Sequence, residues 1–520
     1  MSITRRRAIA SGAAAIATTA FPLSATGAAA PHRRYNMASA NGQKMIERYA
    51  EAVRVMLKRD PTDPFNWYRY TLIHTLDCPH GNWWFLPWHR AYTGYFEQIC
   101  RVVLKDDSFT LPYWDWTAVQ EVPAVMFKDV LTPTASEFIE SYDKFADAYG
   151  PILDSWFAKM SDDQRGQLGI RCYREYQDVL YDIEHGPMFF PRPKARGLTP
   201  QNPRFDGYTT FSTSLPKLLD ALSPRDFMTF GSLPTRFHSS LTGFGVLEAF
   251  PHNKVHNCVG GIVYNDDGSV KSVGDGFMQS NMSPVDPIFF MHHSNIDRVW
   301  DLWTRKQQGY GYPTLPPSDL LTQWRSEKLL FFTDAQGTNL PHTAGEFETI
   351  GNFAYDYEPA SGEEIVPKKP GVKQNVKPKL QTFPALIADA NLNAPNGASA
   401  KVALATPPAD TPLFATITLD LPPHSHAEGF KVLVNGDGNG NPGSPGFAEM
   451  FTMFGNHAMT HPIKLVVPIS RPLGATLSKA GTQTISVVQA GAQSANLMAM
   501  PGMTQAAPVA KVLSVEVSSD

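Results

Sequence analysis

Apolar positions in the first two thirds of the chain recur at helical spacing. Ile46, Tyr49, Ala50, Val53 and the Met56–Leu57 pair fall on one helix face. Asp63-Pro64 has the form of an N-cap followed by proline at the first helical position, which predicts a helix through about Leu76. Pro87 predicts the start of another, through Gln98 to about Leu104. In the last third the period changes to two. Leu413 to Leu421, Phe430 to Val434, Ile463 to Val467, Thr484 to Val488 and Val512 to Val517 alternate as strands do, separated by clusters such as NGDGNGNPGSPG. Between the two patterns, GEEIVPKKPGVKQNVKPK has the Pro, Gly and Lys content of an extended linker. The expected order is a mainly α core over residues 31–357, a linker over 358–379, and an all-β sandwich over 380–520.

Composition changes this picture little. The 520 residues suffice for two or three domains, and a net charge of -4 without a basic stripe argues against nucleic acid as a partner. The N-terminus adds more. Thr4 to Ile9 is similar to a twin-arginine export signal, and an Ala/Gly/Thr-rich stretch follows to about Ala20. A cleavage site at Ala28-Ala29-Ala30, or earlier at Ser24-Ala25-Thr26, would make residues 1–30 a signal peptide. The mature chain is then expected to be periplasmic or secreted, with no membrane span. Four scattered cysteines, Cys78, Cys100, Cys172 and Cys258, do not amount to a disulfide framework.

The histidines carry the chemistry. His74, His80 and His89 lie within HTLDCPHGNWWFLPWHR; His252 and His256 lie within PHNKVHN, and His293 within DPIFFMHHSNIDRVW. His252 and His256, four apart, share a helix face. His74, His89 and His293 would come from three more helices, giving a four-helix bundle with a metal site in its core. Three imidazoles per ion leave coordination positions open for reaction, and a donor set without carboxylate or thiolate favours copper over zinc.

The segments HGNWWFLPWHR, LPYWDW, PHNKVH and DPIFFMHHSNIDRVW resemble the copper-binding regions of tyrosinases and plant-type polyphenol oxidases. The resemblance implies two copper ions in a type-3 centre, one on His74, His80 and His89 and the other on His252, His256 and His293, with His292 beside them. It implies a thioether between Cys78 and His80. It also implies that Glu248 and Asn253 orient a water that deprotonates monophenols, and that Phe289 is a gate aromatic over the copper pair. Asn257 stands where the family varies a substrate-guiding residue. Tyr355-Asp356-Tyr357 resembles the family's Tyr-x-Tyr pair, whose cation–π partner would be Arg33 or Arg34. Asp297, four after His293, reads as an acceptor that orients an imidazole.

FKVLVN (Phe430 to Asn435) and GFAEMFTMFGNHAMTH resemble the C-terminal domain of plant and fungal proenzymes. There the domain covers the copper entrance with a placeholder side chain, for which Phe454 and then Phe451 are the candidates. Met498, Met500 and Met503 offer thioethers of the kind Cu(I) favours; His424, His426, His457 and His461 read as solvated loop. The expected activity is that of a latent tyrosinase acting on phenols with dioxygen, its own C-terminal domain as inhibitor and a protease as activator. The alternatives are a catechol oxidase without monophenol hydroxylation, a haemocyanin-like oxygen carrier, and a zinc hydrolase.

Overall fold

The computed structural model describes residues 32–186 and 188–368. Beyond them it describes 381–384, 386–387, 397–404, 411–422, 428–436, 440–454, 462–474, 481–490 and 510–519. The signal segment, Met498, Met500, Met503, His424, His426, His457 and His461 lie outside the described residues.

Five helices position the histidines: α1 (Ala40–Leu57), α2 (Trp67–Asp77), α3 (Phe85–Leu104), α4 (Asn253–Gly260) and α5 (Ile288–Tyr310). Shorter helices fill the stretch between α3 and α4. Two boundaries differ from the sequence expectation. Asp63 does not cap α2; its side chain accepts from Phe65 N at 2.8 Å, closing a tight turn. The cap is Asn66, whose side chain accepts from Arg69 N at 3.1 Å. Helix α3 opens two residues before Pro87. Proline is tolerated there because first-turn amides have no intrahelical acceptor. Around these helices the core is aromatic, with Trp67, Trp84, Trp88, Trp300 and Trp303 almost completely buried.

The N-terminal strand β1 (His32–Arg34) pairs in parallel with β3 (Tyr355–Tyr357), Arg33 opposite Asp356 and Arg34 opposite Tyr357. Neighbouring strand residues face opposite sides. Arg33 therefore meets Asp356 at the surface at 2.7 Å, while Arg34 lies buried over the Tyr355 ring at 3.6 Å. Residues 358–368 also belong to the core. Tyr113 donates to Glu358 O at 2.6 Å, Ser361 hydrogen-bonds Asp115, and Arg305 pairs with Glu363 at 2.8 Å. Composition placed the start of the linker too early.

The C-terminal region forms two five-stranded sheets from β4 (Gln381–Pro384), β5 (Leu386–Ile387), β6 (Ala398–Leu404), β7 (Leu413–Asp420), β8 (Gly429–Val434), β9 (Phe447–Phe451), β10 (Ile463–Pro468), β11 (Gly481–Ala490) and β12 (Lys511–Ser519). One sheet runs β9-β8-β11-β6-β5. The other runs β10-β7-β12-β4, and its far edge is completed by β2 (Gly243–Phe244), a strand of the core domain. Gly243 pairs with Lys464 and Phe244 with Leu465. The approach is tight, since a Cβ on Gly243 would come within 2.4 Å of Lys464 O. The two domains thus share a hydrogen-bonded sheet. Among the described residues no helix is long and apolar enough to cross a membrane.

Candidate metal centre

His74 sits in α2, His89 in the second turn of α3, and His80 in the loop joining them. Their ring centroids are 5.5, 5.6 and 5.4 Å apart, almost an equilateral triangle. His252 ends a π-helical turn (Glu248–His252) that runs into α4, which carries His256, and His293 comes from α5. Pro251 has no N–H to give the preceding turn, and Asn253 N instead reaches Glu248 O, widening the helix just before the ligand. This second triangle measures 4.5, 5.1 and 5.3 Å. The two triangles meet where His89 and His293 stack at 4.4 Å and His80 faces His252 at 5.7 Å.

Hydrogen bonds fix the tautomers. His74 Nδ1 donates to Asn281 O at 2.8 Å, His89 Nδ1 to Phe85 O at 2.8 Å and His256 Nδ1 to Met278 O at 2.7 Å. His252 Nδ1 donates to Asn253 Oδ1 at 2.9 Å. In each ring the proton is held on Nδ1, so Nε2 keeps its lone pair. His89 Nε2 and His252 Nε2 are buried without a hydrogen-bond partner, and His256 Nε2 faces His293 Nε2 at 3.0 Å. Burial, reinforced by neighbouring imidazoles, holds His89, His256 and His293 well below the ordinary histidine range, and burial takes His252 down to about 3. Neutral imidazoles with converging lone pairs and outer nitrogens tied to carbonyls are what a metal requires. His292 also enters this cluster: His252, His256, His292 and His293 hold donor atoms within 4.8 Å of one another. Sequence reasoning set it aside on the family pattern, and neither of its ring nitrogens has a hydrogen-bond partner.

Cys78 Sγ lies 3.5 Å from His80 Nδ1. Cys100 and Cys258 are free and buried, and Cys172 is free and exposed. The Glu248 carboxylate accepts from Gly81 N at 2.7 Å and from the Ser232 hydroxyl at 2.5 Å, so it grips the backbone next to His80. Burial pushes its carboxyl up to about 8, although both hydrogen bonds oppose the shift. Asn253 bonds His252 rather than Glu248, and its Nδ2 is left without a partner. Phe289 packs on His293 at 4.1 Å and His74 at 5.1 Å.

Three expectations meet a different geometry. Asp297 orients no imidazole. It accepts from Arg90 Nε at 2.6 Å and from the Tyr355 and Tyr357 hydroxyls, with Arg34 Nη1 at 3.5 Å, because guanidinium groups satisfy a buried carboxylate more fully than a neutral ring. Phe451 does not reach the histidines; paired with Phe430 at the end of β9, it packs on Phe244 inside the sandwich. Phe454, three residues on, does reach them, with its ring 4.1 Å from His256, 5.0 Å from His80 and 5.6 Å from His252. Phe289 touches His74, His256 and His293, and of these only His256 also touches Phe454. Asn257 points at the C-terminal domain, where its Nδ2 donates to Met453 O at 2.7 Å and Thr452 Oγ1 at 3.1 Å.

Two imidazole triangles in a helical bundle form an all-histidine cluster that could hold metal. Residues 61–306 match the family model described as the common central domain of tyrosinase. The match covers 246 of the 520 residues and makes this stretch similar to the tyrosinase family, a family that uses copper. The chain is 26% identical over 353 residues to a tyrosinase of Hahella sp. (strain CCB-MM4), covering 60% of each. It is 22% identical over 340 residues to the chloroplastic polyphenol oxidase of Spinacia oleracea, covering 61% of this chain and 45% of that one. The chain thus spans about half the length of these curated relatives. Among solved structures, latent aurone synthase (polyphenol oxidase) superposes with a TM-score of 0.59 at 16% identity, covering 94% of this chain and 89% of that one. Latent apple tyrosinase gives 0.57 at 16% identity, covering 96% and 99%. These establish the fold, a helical core followed by a β domain.

Proposed function

We propose that this chain is an exported, latent tyrosinase: it hydroxylates monophenols at the ortho position and oxidises o-diphenols to o-quinones with dioxygen. The carrying observation is the pair of imidazole triangles, in which His74, His89, His252 and His256 hold the proton on Nδ1 and keep the Nε2 lone pair. His74, His80 and His89 would hold one copper ion, and His252, His256 and His293 the other. When bound, the pair supplies dioxygen reduction coupled to phenol oxidation. The chain's own part is to aim the rings, keep the site dry and receive the phenol proton. A phenol with a pKa of about 10 is mostly neutral at pH 7, so Glu248 and Asn253 are assigned to hold the water that accepts its proton. Cys78 and His80 are assigned a thioether that would fix the one ligand carried by a loop. Phe454 is assigned as the placeholder, and a protease cutting between Glu358 and Lys379 as the activator.

One observation favours a second reading, a catechol oxidase without monophenol hydroxylation. The Glu248 carboxylate oxygens already accept from Gly81 and Ser232, and Asn253 Oδ1 accepts from His252. The test is copper content and oxidation of a monophenol, without added diphenol, before and after cutting the linker and separating the fragments. About two coppers per chain and activity that appears only in the separated core are expected. Activity on o-diphenols alone would select the second reading, and activity unchanged by separation would dispose of latency.

A further inference from the structure

We infer that Asn257 is the positioning residue that clamps the covering segment and so sets Phe454 over His256, a role that rests on the shielding reading above. Asn257 follows His256 in α4 and is 2% exposed. Both donors of its amide serve the C-terminal domain, one to Met453 O at 2.7 Å and one to Thr452 Oγ1 at 3.1 Å. The next residue is Phe454, whose ring lies 4.1 Å from that of His256.

The clamp is needed because the strand ladder stops short. The pairing of β9 with β8 ends at Phe430 opposite Phe451, so residues 452–454 leave the sheet without a strand partner in the register. One further polar contact from the core reaches this segment, between the Tyr264 hydroxyl and the Thr452 side chain, and the others fix the strand. Glu449 meets the Ser212 hydroxyl at 2.8 Å and Lys217 Nζ at 3.2 Å, and Ala448 O accepts from Lys217 at 3.0 Å. Asn257 is built into the same helical turn as His256, so the clamp and the ring it covers move as one rigid piece. Holding a group to sub-ångström tolerance favours such an arrangement over a loop contact. The Asn257 Oδ1 atom is buried without a hydrogen-bond partner, so the side chain is oriented by its two donated bonds alone.

Two substitutions in the full-length chain test this. Asn257→Leu keeps the branched shape and removes both donors; Thr452→Val removes one acceptor from the other side, together with the Tyr264 contact. Two quantities are read. The first is the activity of the uncleaved chain divided by that of the same variant's separated core, which normalises any effect on turnover. The second, made on metal-free protein, is the rate at which hydrogen peroxide oxidises Met453, 3% exposed, with the fully buried Met450 on β9 as internal control. Loss of both bonds is expected to raise the activity ratio and the Met453 rate about tenfold, and loss of one about threefold, with Met450 unchanged. Unchanged Met453 oxidation in both variants would overturn the clamp. Equal oxidation gains at Met450 would also overturn it, because they would mark general loosening of the domain. If wild-type activity is the same before and after separation, the shielding reading fails, while the Met453 rates still report on the clamp.

Discussion

The two histidine triangles reach similar dimensions by different means. In the second, His252, His256 and His293 stand on helical backbone, which itself aims the rings. In the first, His80 stands on a loop that needs tethers from elsewhere: Glu248 on Gly81 N, Thr242 and Gly243 amides on Gly81 O, and Asn82 Nδ2 on the His238 and Ser240 carbonyls. A ligand on a helix is oriented by local hydrogen bonds, whereas a ligand on a loop is oriented by distant ones. Damage far from the first triangle is therefore expected to reach the metal more readily than damage near the second.

The largest effect should come from the support of α5, one turn beyond His293. Asp297→Ala strands the buried Arg90 and takes one of two carboxylates from Arg34, which keeps Glu97, and is expected to cost about 3–5 kcal/mol of stability, read by urea unfolding. A loss below about 1 kcal/mol would show that helical packing alone carries the second triangle.

Next comes a pH dependence belonging to the first. His238 Nε2 lies 2.9 Å from Asp77 at the end of α2, and His238 Nδ1 lies 2.6 Å from Glu327. Burial works against its charge, yet the two carboxylates hold it up to about 9. A folded-state value above the unfolded ~6.5 gives stability that is complete below pH ~6.5 and lost as pH rises through about 9, roughly 3 kcal/mol in all. His238→Gln should flatten that slope; an unaltered slope would assign it to other groups.

Glu248→Ala leaves the buried Gly81 amide and Ser232 hydroxyl unmatched. It is expected to cost about 2 kcal/mol and to weaken metal binding at the first triangle about 10–100-fold, measured by metal titration. Asn253→Ala should be the mildest, costing about 1 kcal/mol with less than about tenfold loss of affinity, because α4 still aims His252. Equal losses for the two variants would erase the contrast between loop and helix.

The helical core, the change of period to strands and the six histidines were legible in the sequence because each is written in local spacing. What escaped depended on partners distant in the chain. The i+4 spacing of Asp297 from His293 suggested an imidazole contact, but only the fold brings Arg34 and Arg90 to it. Strand β6 reads weakly because Ala occupies three of its seven positions, and β2 is two residues long and gains its meaning from Lys464 and Leu465 more than two hundred positions away. Phe451 and Phe454 look alike in sequence, and what separates them is where the β9 ladder ends.

The shared sheet determines what a cut in the linker achieves. Severing a tether lowers the effective concentration of the tethered part without breaking a single contact. With β2 zipped to β10 and the Glu449 contacts intact, a nicked molecule keeps its cover, now as a two-chain complex. Awakening would then follow dilution, detergent or competing peptide rather than the blade itself, with a lag whose length reports how fast the strands unzip.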